Sequence, residues 1–190
     1  MIKLYYSTSI SLLLLFFFTA EINAQGFVAV DNISHDISYY RQSKITPPLV
    51  KVLYGRPQKN EEVVFGNTVP FDKIWRTGAN EATEVKFYKD VQFGNAKVKA
   101  GTYVLVTIPG KDKWDVILNS QTDVWGSFQY NPTFNVAKIT VPVKKAEELE
   151  TFSISFNDDN EQVQMILGWD NTRINIPLKF KREQIFVAKR

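Results

Sequence analysis

Alternation of apolar and polar residues governs the second half of this chain and leaves it few folds to adopt. In "ETFSISF", Phe152, Ile154 and Phe156 face one way while Thr151, Ser153 and Ser155 face the other. "VQMILGW" repeats the pattern with Val163, Met165, Leu167 and Trp169, and "RINIPL" does so with Ile174, Ile176 and Leu178. Successive side chains of a strand point to opposite faces, so a period of two predicts strands with one face buried. Between two of them "FNDDNEQ" reads as a hairpin turn, because Asn and Asp tolerate left-handed dihedrals.

The middle of the chain continues in this manner. "EVKFYKDVQF", "TYVLVTI" and "WDVILN" read as three strands separated by "GNAKVKAG" and "PGKDK". The near-continuous apolar run from Tyr103 to Ile108 predicts a central strand, buried on both faces. "VAKITVPV" is a further strand, "KKAEELE" at most one helical turn, "LVKVLYG" a clear strand and "DISYYRQ" a weaker one. From Pro57 to Ala82 the alternation breaks, and irregular segments of that length in compact domains tend to be functional. Eight or nine short strands with Gly, Pro and Asn turns and almost no helix predict an all-β fold. The reading is an antiparallel β-sandwich, with a closed β-barrel as the alternative. The sandwich is preferred because one set of strand faces is aliphatic and aromatic and the other rich in Ser, Thr and Lys.

The N-terminus belongs to a different logic. Lys3 supplies a positive charge, Ile10 to Phe18 form a mostly apolar run, and Ala24 precedes Gln25. That is the pattern of a secretory signal peptide over residues 1–24, leaving a single all-β domain over 25–190. The run is shorter than the roughly 20 apolar residues of a spanning helix, so no stable membrane span is expected after cleavage. The mature protein is expected to be exported, to the periplasm or the cell exterior. With no Cys, its stability has to come from packing and not from disulfides.

Composition excludes several chemistries. A net charge of +3 is too small and dispersed for a nucleic-acid partner, and the basic stretch "KFKREQIFVAKR" reads as a solvated tail or edge strand. One His and no Cys cannot build a thiolate or multi-histidine zinc site, and nothing around His35 suggests a Ser-His-Asp triad. No phosphate-cradling Gly loop and no dinucleotide fingerprint occurs, so no cofactor and no metal are expected. "NDDNE", residues 157 to 161, lacks the spaced acidic ladder of a calcium loop and reads as a turn. Glu81, Glu84, Asp90, Asp115 and Asp123 leave glycoside hydrolysis open, since the sequence carries no carboxylate separations.

The stretch "WRTGANEAT", residues 75 to 83, stands out against the strands. Trp75 is an aromatic anchor, Gly78 is expected to take a dihedral open only to glycine, and Ala79 and Ala82 keep the neighbourhood uncrowded. Arg76, Thr77, Asn80 and Glu81 then converge with donors and acceptors both present. Two readings follow. The four satisfy one another, with an Arg–carboxylate pair locking the long loop onto the sandwich. Or they form the floor of a polar pocket walled by Arg56 and the aromatics Tyr54, Trp114, Trp125 and Tyr130, suited to a sugar or other polyol.

"VPFDKIWRTGANEAT", with "YGRP", "FGNTVP", "AGTYVLVTIPG", "WDVILN", "DVWGSFQY" and "WDNTR", resembles a family of secreted bacterial proteins. That family is known as a domain of unknown function and is marked by a W-R-T-G-A-N-E-A-T core. The likeness covers about Pro47 to Leu178 and implies export and an all-β domain, with no established activity. Members usually carry a Lys-Gly-Arg step before the Phe-Gly, where this chain has Asn60, Glu61 and Glu62 ahead of Phe65-Gly66.

The combined reading is a binding or interaction module before an enzyme, with a small polar ligand or a glycan as partner. A carbohydrate-active hydrolase using Glu81 with a second carboxylate is the rival, and a purely structural envelope protein the third possibility. The sequence sets neither the ligand nor the oligomeric state.

Overall fold

In the computed structural model, residues 32–159 and 162–181 are described. The chain divides into two units, Met1–Asn32 and Ile33–Arg190, and every described residue except Asn32 belongs to the second. The expected signal peptide lies outside the described residues, and so does part of the turn at 157–161.

The described residues form nine strands: β1 (His35–Arg41), β2 (Pro48–Gly55), β3 (Glu84–Phe87), β4 (Val91–Phe93), β5 (Ala96–Val98), β6 (Gly101–Ile108), β7 (Lys113–Asn119), β8 (Asn135–Asp158) and β9 (Val163–Phe180). A single 3-10 turn at Pro132–Phe134 is the only helical element among the described residues, and no helix there is long and apolar enough to cross a membrane. All pairings are antiparallel, in one sheet of order β1-β2-β3-β6-β7-β8-β9-β4-β5.

The sheet does not close into a barrel; it bends back on itself as two packed layers, as the sandwich expectation required. Strand β8 makes the bend. Its first half pairs with β7 and its second half with β9, and the β8–β9 register slips between Lys145 and Leu149 and again between Leu149 and Ser153. Such bulges kink a strand and increase its twist. The bend brings Phe152 edge-on to Tyr54 of β2, with ring centroids 5.6 Å apart, and Ile154 N donates to the Tyr54 hydroxyl at 3.1 Å. Val50, Val52, Val85, Phe87 and Leu105 from one layer and Met165, Leu167, Ile174, Ile176 and Leu178 from the other then make one core.

Several elements differ from the expectation. "EVKFYKDVQF" is not one strand but two, β3 and β4, which pair in different parts of the sheet, and the "GNAKVKAG" separator contains β5. "KKAEELE" contains good helix formers, yet it is strand throughout, held by pairing of Lys145 with Thr172 and of Leu149 with Asp170. "VQMILGW" and "RINIPL" are one strand, β9, not two. Its buried positions run odd through Val163, Met165, Leu167 and Trp169, then even through Thr172, Ile174, Ile176 and Leu178. The phase changes at Asp170, whose φ is 49°, opposite the β8 bulges.

Strand β6 is central, as its apolar run predicted. Leu105 belongs to the main core, while Val104 and Val106 face the other way and pack with Ala82, Ile117 and Val124 in a second, smaller cluster. The irregular segments at 74–82 and 124–130 cover that outer face. The "WRTGANEAT" loop is therefore the lid on the back of the sheet's central strand.

Candidate functional site

The loop is an excursion from the β3–β6 ladder. Glu84 pairs with Val104, and continuing that register would put Glu81 opposite Thr107. Trp75 occupies that place, so six extra residues are looped out. Trp75 N donates to Thr107 O at 2.8 Å and Thr107 N to Trp75 O at 2.9 Å, closing the base of the excursion. Its interior is fastened by hydroxyls and backbone. Thr83 Oγ1 donates to Thr77 O at 2.6 Å, Thr77 Oγ1 lies 3.0 Å from Thr107 Oγ1, and Trp75 Nε1 donates to Gly78 O at 3.1 Å. The outer side is tied to the next loop through Ala82 N to Val124 O at 3.2 Å and Gly126 N to Asn80 O at 3.1 Å.

The left-handed residues of the excursion are Thr77 (φ 60°) and Asn80 (φ 57°), not Gly78 as expected. A β-branched residue there is strained, and the fully buried Thr77 hydroxyl bonds hold it in place. Gly78 is required for a different reason. A Cβ on it would lie 3.0 Å from Gly55 O, and a Cβ on Gly55 would lie 2.1 Å from Ala79 O. Two backbones cross in near contact, and neither tolerates a side chain at the crossing.

Two clefts flank this crossing, one with Ala79 in its wall and the other with Gly55. The first, of ≈ 310 Å³, has the indoles of Trp75 and Trp169 in its wall, 6.0 Å apart and 20° from parallel. Val69, Pro70 and Ile74 extend the apolar lining, and Arg76, Thr68 and Ser127 supply the polar side chains. Among the described residues no acidic one lines it. The second, of ≈ 220 Å³, is lined by His35, Glu81, Glu84 and Asp123 beside Tyr54 and Val124. The motif thus sends its cation to one cleft and its carboxylate to the other.

Arg76 and Glu81 do not pair, which corrects the expected Arg–carboxylate lock: the loop is locked, but by threonines and backbone. Glu81 is exposed, and its carboxylate has no hydrogen-bond or ion-pair partner among the described residues. Arg76 is half-buried, its Nε is sealed from water with no hydrogen-bond partner, and burial pulls the guanidinium below the ordinary arginine value.

The family model of DUF2911, described as a protein of unknown function, matches residues 38–178. The chain belongs to the DUF2911 family. No curated protein and no solved structure matches it.

The match runs from within β1 to within β9, so the whole bent sheet is the DUF2911 domain. Within it the nine candidate residues are scattered more widely than the sequence reading had them. Trp75 and Arg76 share the first cleft. Thr77 is a buried fastener, and Asn80 is partly buried, with its carbonyl accepting from Gly126. Arg56 pairs with Asp36 at 3.1 Å on the surface and lines neither cleft. Trp114 is a core residue, 2% exposed, packed 4.8 Å from Phe65 and 6.0 Å from Trp75. Tyr130 packs on the outer cluster, its hydroxyl accepting from Asn135 Nδ2 at 2.9 Å. Trp125 is 55% exposed and stacks on Phe128, whose exposure is 83%. Arg56, Trp114, Trp125 and Tyr130 therefore do not wall a pocket around Arg76.

The sequence reading missed Trp169, Val69, Pro70 and Ser127 in the first cleft and the placing of His35 beside Glu84 and Asp123 in the second. The long irregular segment at 57–82 hinted at Val69 and Pro70 alone; Ser127 and Trp169 come from "DVWGSFQY" and "WDNTR", far along the chain. Among the described residues no group of three or more His, Asp or Glu side chains is placed to hold a metal ion.

Proposed function

We propose that this DUF2911 domain is an exported binding module that takes a small ligand into the cleft between Trp75, Trp169 and Arg76. The observation that carries the reading is Arg76 itself. A guanidinium cannot shed its charge at physiological pH and offers only donors. Here it stands half-buried on an apolar wall, with an unpartnered Nε and no carboxylate in the lining. Buried charges in folded proteins are normally paired, and an unsatisfied buried donor is costly enough to call for an explanation. A pocket with apolar and aromatic walls and few polar groups is the usual form of a small-molecule site, and ≈ 310 Å³ is at the small end of that class. The export part of the proposal rests on the basic start, apolar run and Ala24 of the N-terminal segment.

One observation favours the hydrolase reading: Glu81, Glu84 and Asp123 share the second cleft. Against it, no hydrogen bond orients the Glu81 carboxylate, whereas an acid–base residue needs a positioned geometry.

A screen of residues 25–190 by ligand-observed NMR, against a library of small metabolites and glycans, separates the two. Ligands of the first cleft lose binding in Arg76→Ala and keep it in Glu81→Gln. Hits that ignore Arg76 but vanish with Glu81→Gln, or any glycan turned over by the wild type, would overturn the binding-module reading in favour of the acidic cleft.

A further inference from the structure

We infer that the ligand of the Arg76 cleft is a small organic anion, a carboxylate carried on an apolar frame. The inference rests on the binding-module reading above and narrows it to a chemical class.

The other arginine drawn down by burial in this protein shows what an internally used guanidinium looks like. Arg173 is desolvated as Arg76 is, yet its Nη1 donates to Asp170 O and Thr172 O, both at 2.9 Å, and its Nη2 donates to Glu147 O at 2.7 Å. That arginine is consumed in holding the β8 bulge against β9. Other cations in the fold have carboxylate partners as well: Lys59 with Glu148 and Asp170, Lys138 with Asp115, Lys99 with Asp90, and Arg56 with Asp36. Arg76 has neither carbonyls nor a carboxylate among the described residues. Among the described residues the cleft holds no counter-charge for it.

The rest of the lining says what carries that counter-charge. A polyol needs acceptors as well as donors around it, and the side chains here offer only the hydroxyls of Thr68 and Ser127 besides the guanidinium. Thr68 Oγ1 is already donating to Glu62 Oε2 at 2.8 Å, and Glu62 lies outside the lining. The wall is Val69, Pro70 and Ile74 with the small accessible parts of the buried Trp75 and Trp169, which favours an apolar body over a hydrated one. Guanidinium and carboxylate match as planar, two-pronged groups; a tetrahedral inorganic anion can also be held by two prongs, but it has no apolar body to set against the wall.

The test titrates residues 25–190 with benzoate, phenylacetate and hexanoate, each beside its neutral amide, and with inorganic phosphate, at constant ionic strength. Trp75 and Trp169 report binding through intrinsic fluorescence, and the thermal midpoint provides a second readout. The expected result is that a carboxylate binds at least tenfold more tightly than its amide and than phosphate, and that Arg76→Gln, folded by circular dichroism, removes the difference. Amides binding as tightly as acids, or phosphate outbinding both, would overturn the anion class while leaving a ligand-binding cleft. Silence from every probe here, with library hits at the same cleft, also overturns the anion class. Silence here with no library hit removes the binding-module reading as well.

Discussion

Arg76→Met is expected to stabilise the ligand-free protein. Methionine keeps an unbranched apolar stem against Trp75 and Ile74 and removes a guanidinium whose Nε has no partner. An unsatisfied buried donor costs about 1–3 kcal/mol, and the loss of half-exposed contacts beyond the stem returns about 0.5 kcal/mol of that. The net gain is then about 0.5–2.5 kcal/mol, and in a domain of this length each kcal/mol raises the thermal midpoint by about 2–4 °C. Urea unfolding of wild type and variant measures it: the midpoint should rise with the slope unchanged, the sign of altered stability and not of an altered denatured state. A variant destabilised by about 1 kcal/mol or more would mean that Arg76 contributes to the fold, and the reasoning from a missing counter-charge would fail. The gain in stability should come with lost binding, as is common where a site holds strained or unsatisfied groups.

The backbone crossing makes Gly55→Ala severe: its Cβ would lie 2.1 Å from Ala79 O, and the expected loss is about 3 kcal/mol or more, read as a lowered thermal midpoint or as insoluble protein. Glu81→Gln should change the unfolding free energy measured in urea by no more than about 0.5 kcal/mol, because the carboxylate is exposed and has no partner among the described residues; a larger loss would restore the Arg–carboxylate lock. Hydrogen bonds from Lys138 at 2.8 Å and Thr140 at 2.7 Å hold Asp115 below the usual carboxylate range. A depressed carboxylate stabilises fully above its unfolded value near 4 and loses that contribution as pH falls through its folded value. The stability gap between wild type and Asp115→Asn should therefore be widest at neutral pH and shrink below about pH 4 in urea titrations. Mass spectrometry of protein expressed with its N-terminus intact should find a mature chain beginning at Gln25 outside the cytoplasm; an uncleaved chain would sink the export proposal.

Much of the fold was written locally. Period-two alternation is a property of each strand alone, so Phe152, Ile154, Met165, Leu167, Ile174 and Ile176 could be assigned to a buried face before any partner was known. The near-continuous apolar run Tyr103–Ile108 likewise announced a central strand. Even the phase change in β9 is present in the sequence, as odd apolar positions through Trp169 followed by even ones from Ile174. That these belong to one strand was not legible, because continuity there depends on pairing with bulges in β8. For the same reason the helix-favouring "KKAEELE" became strand: ladder bonds to Thr172 and Asp170 outweigh a propensity of tenths of a kcal/mol per residue.

The site was less legible than the fold. Its position was marked by the break in alternation and by "WRTGANEAT", yet the sequence reading paired Arg76 with Glu81 because they are close in the chain. Tertiary structure separated them. The Trp75–Thr107 bridge ejects six residues from the ladder, and the Gly55–Ala79 crossing then leaves Arg76 in one cleft and Glu81 in the other. Trp169 reaches the first cleft only because β8 bends and carries β9 under Trp75. Local pattern determines which residues are strand and which face they bury. What meets across a cleft is decided by ladder register and by the closest approach of two backbones, and both are set by residues far apart in the chain.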